Sequence, residues 1–218
     1  MSLADTFASF RKMSFFHPHG SVVGVDVGSS SIKVVQLKQK DGKAILETYG
    51  ELALGPYAKL AIGQATNLSV GELEAALRDL FREANVTASL AAFSIPLRSS
   101  LLKVIELPVF DKKELEQMIP IEARKYIPVP IAEVLLDWWV IPKHEFRAPG
   151  DETRVSAPSV PSPNRDMAEV LLVAIHNATI EKYRDLTTRM KLASKTFEVE
   201  TFSAMRALIG HDISPTAI

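Results

Sequence analysis

β-branched residues crowd the stretch from Val22 to Leu37, interrupted once by Gly28-Ser29-Ser30-Ser31. The pattern predicts two strands joined by a tight turn of small hydroxyl residues, with Asp26 entering the turn and Lys33 leaving it. Asp41-Gly42 marks the next turn, and Ala44 to Leu54 reads as a third strand of an antiparallel meander. A loop over Gly55 to Leu68 leads to a capping box, Ser69 with Glu72. Beyond it Val70, Leu73, Leu77, Leu80, Phe81 and Ala84 mark the buried stripe of a helix ending near Asn85. Leu90 to Ile95 is almost wholly apolar, as expected of a strand covered on both faces, and Pro96 closes this unit.

A second pattern follows. Leu101 to Leu107 reads as a strand, and Asp111 and Glu114 cap a helix carrying Leu115, Met118, Ile119, Ala123 and Tyr126. Pro120 should kink or divide that helix, because it lacks an N–H and crowds the preceding turn. Val134 to Ile141 is a strand; Lys143 to Arg165 is a polar excursion with Pro149, Pro158, Pro161 and Pro163, expected to be mobile. Val170 to Ile175 resumes as a strand, and Ile180, Tyr183, Leu186 and Met190 define another amphipathic helix. Strand, helix, strand, strand, helix is enough for a small α+β domain. Thr196 to Glu200 then reads as a strand and Thr201 to Ile209 as a helix stopped by Gly210, both returning to the first unit. The expected organisation is a flexible leader over 1–20, a first domain over 21–96 with 194–210, and an inserted domain over 97–193 containing the Pro-rich loop 143–165.

At 218 residues, 47% of them hydrophobic, the chain can fill a real core. A formal net charge of −1 provides no field that would draw in nucleic acid or anionic lipid. With no cysteine there is no disulfide framework or thiolate metal site, which suits a reducing cytoplasm. No apolar run approaches the roughly 20 residues of a spanning helix, so no direct membrane span is expected. His17 and His19 in the leader are too few for a metal centre. Glu122, Arg124 and Lys125 read as a solvated helix face. Trp138 and Trp139, adjacent in a strand, point to opposite faces, one to the core and the other a candidate partner contact. His176, Ser94 and Ser203 have no recognisable triad partners.

The hairpin carries the candidate chemistry. A tight turn lets successive backbone N–H groups converge on an anion, Gly28 permitting close approach and unusual dihedrals. Ser29 and Ser30 add hydroxyl donors, Lys33 supplies a point charge, and Asp26 can hold magnesium through its water shell. The plainer reading is an ordinary strand turn in which Lys33 pairs with Asp26. A strand follows the turn, which separates it from Walker A and Rossmann loops, where a helix follows.

The segment Gly24-Val25-Asp26-Val27-Gly28-Ser29-Ser30-Ser31-Ile32-Lys33-Val34 resembles the first phosphate loop of the actin, Hsp70 and sugar-kinase superfamily. Ile105-Glu106-Leu107-Pro108, Ile121-Glu122-Ala123-Arg124-Lys125-Tyr126-Ile127-Pro128 and Leu136-Asp137-Trp138 resemble, more narrowly, the PilM family of type IV pilus assembly proteins, relatives of FtsA. The resemblance implies an α/β, actin-like (ribonuclease H-like) subdomain 1A with an inserted α+β, SHS2-like subdomain 1C. It implies ATP and Mg²⁺ as cofactors of the complete fold, with Gly28, Ser29, Ser30 and Lys33 on the phosphates and Asp26 nearest the metal. Ser30 stands where actin-like loops often have a second glycine. The family's second Asp-x-Gly hairpin has no counterpart in this sequence, whose last glycine after Gly150 is Gly210. The second actin-like half is therefore expected to be absent, and ATP affinity and turnover weak or nil. The implied partner is the cytoplasmic N-terminal segment of a PilN-like inner-membrane protein, bound at the 1A/1C side by a cytoplasmic scaffold peripheral to that membrane. An FtsA-like division scaffold and the front half of an ATPase or sugar kinase are the alternatives, and self-association stays open.

Overall fold

The computed structural model describes residues 20–108, 112–141 and 167–208, the side chains of 112, 194 and 195 excepted. Apart from Gly20, the expected leader with His17 and His19 lies outside them, as do Asp111, the whole Pro-rich loop 143–165, Ile209 and Gly210. The described residues form two compact units, 20–100 with 175–208, and 101–108 with 112–141 and 167–174.

In the larger unit β1 (Ser21–Val27), β2 (Ser31–Lys40) and β3 (Lys43–Ala53) form the antiparallel meander. β4 (Leu90–Ile95) and β8 (Ala193–Val199) extend it in parallel, giving the order β3-β2-β1-β4-β8. Side-chain alternation gives this mixed sheet two distinct faces. Val23, Val25, Val27, Ile32 and Val34 are buried on one face, where the sheet meets α1 (Val70–Glu83) through Leu73, Ala76, Leu77 and Leu80. Gly50 lets this helix close on β3, since a Cβ there would lie 2.9 Å from Leu80 Cδ1 and 3.2 Å from Ala84 Cβ. The capping box forms as the sequence predicts: the Ser69 N–H donates to Glu72 Oε2 at 2.7 Å and the Glu72 N–H to Ser69 Oγ at 3.4 Å.

α3 (Asn177–Arg189) packs on the same side, against α1 and β8. Tyr183 joins Phe93 of β4 and Phe197 of β8 in an aromatic cluster with centroids 6.0 to 6.4 Å apart. Such contacts add to the area the rings bury. They also tie α3 to the larger unit, whereas the sequence places it within an insertion running to residue 193. On the opposite face α4 (Glu200–Leu208) packs on β4 and β8, and Ser203 Oγ donates to the buried carboxylate of Glu198 at 2.7 Å. Arg206 pairs with the same carboxylate, so Ser203 serves a structural ion pair.

The smaller unit contains β5 (Ser100–Pro108), which begins at the last residue of the larger unit, α2 (Lys112–Ala123) and β6 (Val134–Ile141). β7 (Met167–His176) lies between the other two strands in the order β5-β7-β6 and ends in the larger unit. Its core gathers Ile105, Leu107, Leu115, Ile119, Ala123 and Leu172 among others. α2 runs through Pro120 as one helix and stops three residues later, so the proline neither divides it nor carries it on to Tyr126. Tyr126 instead follows the helix, exposed, beneath the Lys103 ammonium at 5.6 Å from its ring centroid. Trp138 packs against the core and Trp139 is 54% exposed. Lys125 is ion-paired with Glu122 at 2.8 Å, which raises the lysine pKa and fits a solvated charged face. Among the described residues no helix is long and apolar enough to cross a membrane.

Gln36 is a buried polar residue of the larger unit, 2% exposed. Its Nε2 donates to Glu47 Oε2 at 2.7 Å and Thr87 Oγ1 at 3.0 Å. Its Oε1 accepts from the N–H groups of Thr87 and Ala88 at 2.8 and 3.0 Å. One amide thus holds β2, β3 and the approach to β4 together. Gln36→Leu should cost about 2 kcal/mol in urea unfolding, because it strands polar groups that only partly reach water. An unchanged midpoint would show that the amide does not hold these segments.

Candidate functional site

The β1–β2 hairpin puts Asp26 directly opposite Lys33 and on the face of the sheet away from α1. Lys33 Nζ lies 3.9 Å from Asp26 Oδ2, 3.7 Å from Glu51 Oε1 and 3.1 Å from Ser31 Oγ. At these separations and half exposed, it is loosely shared between two carboxylates, so each pairing is weak. Asp26 Oδ1 is different: it is buried and, among the described residues, accepts no hydrogen bond. A buried carboxylate oxygen without a donor costs about 1–3 kcal/mol. It therefore suits a water or hydrated cation.

The turn itself is fixed by its carbonyls. The Leu54 N–H donates to the Ser30 carbonyl at 2.8 Å, and the Thr66 N–H and Oγ1 both donate to the Ser29 carbonyl, at 2.8 and 2.9 Å. The backbone N–H groups and hydroxyls of Ser29 and Ser30 have no partner among the described residues. They are the donors the turn can offer to an anion.

Gly28 has one of the two roles the sequence suggests. Its N–H already donates to the Ser31 carbonyl at 2.9 Å, and its φ is not positive. A Cβ there would stand 2.9 Å from that same carbonyl oxygen. The residue is needed for close approach within the turn, and neither for unusual dihedrals nor as a free donor. Ser30 likewise has no positive φ, so serine meets no strain where related loops carry glycine. The residues thus fit the phosphate end of a nucleotide: two serines with outward donors, a turn that a larger residue would fill, and a buried oxygen seeking a donor. Among the described residues no three acidic, histidine or cysteine groups cluster to hold a metal ion. Any magnesium here would be held by Asp26 together with phosphate oxygens.

Sequence reasoning missed what surrounds the turn within the larger unit. Glu200, the first residue of α4, accepts the Leu97 N–H at 2.8 Å. Burial pushes the Tyr183 phenol well above its ordinary value; the charge of Asp26 adds to this and that of Arg98 opposes it. On the helix side of the sheet a cavity of about 300 Å³ runs from Val27 and Gly28 past Thr66 to Arg98, Thr179 and Lys182. Helical periodicity marks Tyr183 as buried, but no local pattern signals Lys182 or Arg98. His176 is exposed ahead of α3, and Ser94 pairs with Asp26 across the parallel strands.

Residues 24–216 match the family described as type IV pilus assembly protein PilM. The chain belongs to that family. Among solved structures, the PilM–PilN type IV pilus biogenesis complex matches with a TM-score of 0.63 and 20% identity, over 86% of this chain and 49% of that one. The chain therefore spans about half the length of that PilM relative. The cytoplasmic domain of EpsL, an inner-membrane component of the type II secretion system of Vibrio cholerae, matches at a TM-score of 0.49 and 12% identity, over 83% of this chain and 57% of that one. A Bacteroides thetaiotaomicron protein with an actin-like ATPase fold matches at 0.39 and 9%, over 90% and 58%. The mixed sheet and its helices form the α/β fold that this chain shares with the PilM–PilN complex structure.

If close approach is what Gly28 provides in this PilM-family turn, Gly28→Ala should cost about 1–3 kcal/mol, the usual range for overpacking. A neutral effect in thermal or urea unfolding would show that the Ser31 carbonyl can give way.

Proposed function

We propose that this chain is a cytoplasmic scaffold of type IV pilus assembly that docks the N-terminal cytoplasmic segment of a PilN-like inner-membrane protein, and is peripheral to the membrane through that partner. The observation that carries this reading is the PilM-family match over 24–216. The likeness in fold to a PilM solved together with PilN supports it. The partner's segment is short and extended in this reading, so its affinity comes from a few buried anchors rather than from area.

The Asp26–Lys33 turn would hold the phosphate end of a nucleotide within the same scaffold. When bound, ATP with magnesium supplies an activated phosphoryl group. Ser29 and Ser30 donate hydrogen bonds to phosphate oxygens through their free N–H groups and hydroxyls. The buried oxygen of Asp26 would help to hold a hydrated magnesium ion, and Lys33, loosely shared between two carboxylates, would supply positive charge to the phosphates. Phosphoryl transfer needs charge stabilisation from groups converging on the reacting phosphate. The turn provides these from one side, and the 218 residues contain no second Asp-x-Gly sequence to provide the other. The turn therefore retains phosphates weakly and performs no chemistry by itself.

Isothermal titration of the full chain with a synthetic peptide of the PilN-like cytoplasmic N-terminus should give saturable binding. Absence of binding by a sample whose circular dichroism shows it folded would overturn the scaffold reading. Titration with labelled ATP and magnesium should give weak or undetectable binding. Micromolar affinity abolished by Asp26→Ala would instead mean that this turn needs no second half.

A further inference from the structure

We infer that the cavity on the helix side of the sheet is a binding site for a compact organic anion, one carboxylate or phosphate group on a small apolar body, recognised by Arg98 and Lys182. It is distinct from the outer face of the turn. Strand alternation points Val27 into the cavity and sends Asp26 and Lys33 to the opposite face of the sheet.

Its walls come from well-fixed elements of the larger unit. Val27 ends β1, Leu54 and Leu68 are buried, Pro96 follows β4, and Tyr183 is anchored by the aromatic cluster. They give the cavity an apolar floor. Thr66, Asn67, Ser99 and Thr179 add hydroxyl and amide groups, and Arg98 and Lys182 add two positive charges. A few polar groups converging on an apolar, preformed hollow is the usual constitution of a ligand pocket. At about 300 Å³ it lies at the small end of the size range of such pockets, suited to a metabolite-sized ligand and too small for a whole nucleotide.

The charges explain why the ligand is an anion. Lys182 Nζ donates to the Leu68 carbonyl at 2.6 Å, a neutral acceptor, and makes no carboxylate ion pair among the described residues. Burial lowers its pKa first and the neighbouring Arg98 charge lowers it further, while Glu72 opposes them. Arg98 has no carboxylate partner among the described residues. Two cations lining one hollow, each feeling the other's charge, are an unfavourable arrangement that an entering anion relieves. Charge-assisted hydrogen bonds from both would then hold it, with Arg98 able to bind a planar carboxylate or a phosphate in two-pronged fashion.

The test is isothermal titration and thermal shift of the full chain at low ionic strength, with inorganic phosphate in one arm and succinate in the other. Saturable binding and a concentration-dependent rise in Tm are expected in at least one arm, since a ligand of the folded state stabilises it. Phosphate alone would assign a phosphomonoester, succinate alone a carboxylate, and both a shared anion pocket. Arg98→Gln, which removes an exposed and unpaired side chain, should weaken binding about tenfold. Lys182→Met should weaken it at least as much. Lys40→Ala and Lys43→Ala, exposed at the β2–β3 turn, should leave affinity within about twofold. Failure of both anions to bind would overturn the proposal. So would binding insensitive to Arg98→Gln, or binding lost with Lys33→Ala, which would move the site to the turn. Neither titration involves the PilN-like peptide, so the outcome is independent of the scaffold reading.

Discussion

What the candidate site depends on is the direction of two carbonyl groups. The Ser29 and Ser30 carbonyls are bonded, to Thr66 and to Leu54. Because the Ser29 carbonyl shares a peptide plane with the Ser30 N–H, its bond to Thr66 leaves that N–H directed to the other side. Backbone polar groups inside a protein must be paired. By supplying those partners from segments beyond β3, the fold orients the opposite edge of the turn. Gly28 completes the arrangement by letting the Ser31 carbonyl come close enough to accept its N–H. The geometry of the turn is therefore imposed by the segment from Leu54 to Thr66 as much as by the turn's own residues.

That turn sits where a mixed sheet makes ligand binding cheap. β1 runs parallel to β4 and antiparallel to β2, so its carboxyl end meets the end of β4 and the start of the following segment. Crevices at the carboxyl ends of parallel strands are the common location of ligand sites in α/β folds. Here the two faces of the sheet divide the work. Asp26, Lys33 and Glu51 gather on one face, whereas the apolar cavity with Lys182 and Arg98 lies on the other, under α3. The Phe93, Tyr183 and Phe197 cluster sets the position of α3 and hence of Lys182.

Elements that rest on local chemistry were legible in the sequence. Ser69 and Glu72 specify the start of α1 through a reciprocal pair of hydrogen bonds three residues apart, and β-branched runs specify β1, β2 and β4. What depended on distant partners was not legible. Pro120 lies within α2 although its missing N–H argues for a break, and the turn beyond Ala123 absorbs the disturbance: Tyr126 and Ile127 both donate back to the Ala123 carbonyl. The helix over Asn177–Arg189 follows a strand of the smaller unit, so sequence order assigned it there, whereas its ring contacts assign it to the larger. For Gly28 the sequence pointed to close approach and to unusual dihedrals together, and only the first applies, since the two leave the same signature in a sequence. Arg98 and Lys182 are distant in the chain and meet only through the fold.

Lys33 shows why this geometry favours holding over chemistry. A lysine fixed for catalysis is bound tightly at one position and shielded from water, which is how its charge acquires leverage on a reacting group. Lys33 is half exposed and lies at 3.7 and 3.9 Å from two carboxylates, so solvent screens both attractions and either can be given up at little cost. Such a residue exchanges partners readily when an anion arrives and returns when it leaves. Asp26 complements it: one oxygen takes part in that exchange, while the other, buried and without a donor, gains a partner only on the arrival of water or a hydrated ion. Occupation of the turn would thus change the charge balance of β1 and β2 without demanding a rearranged backbone.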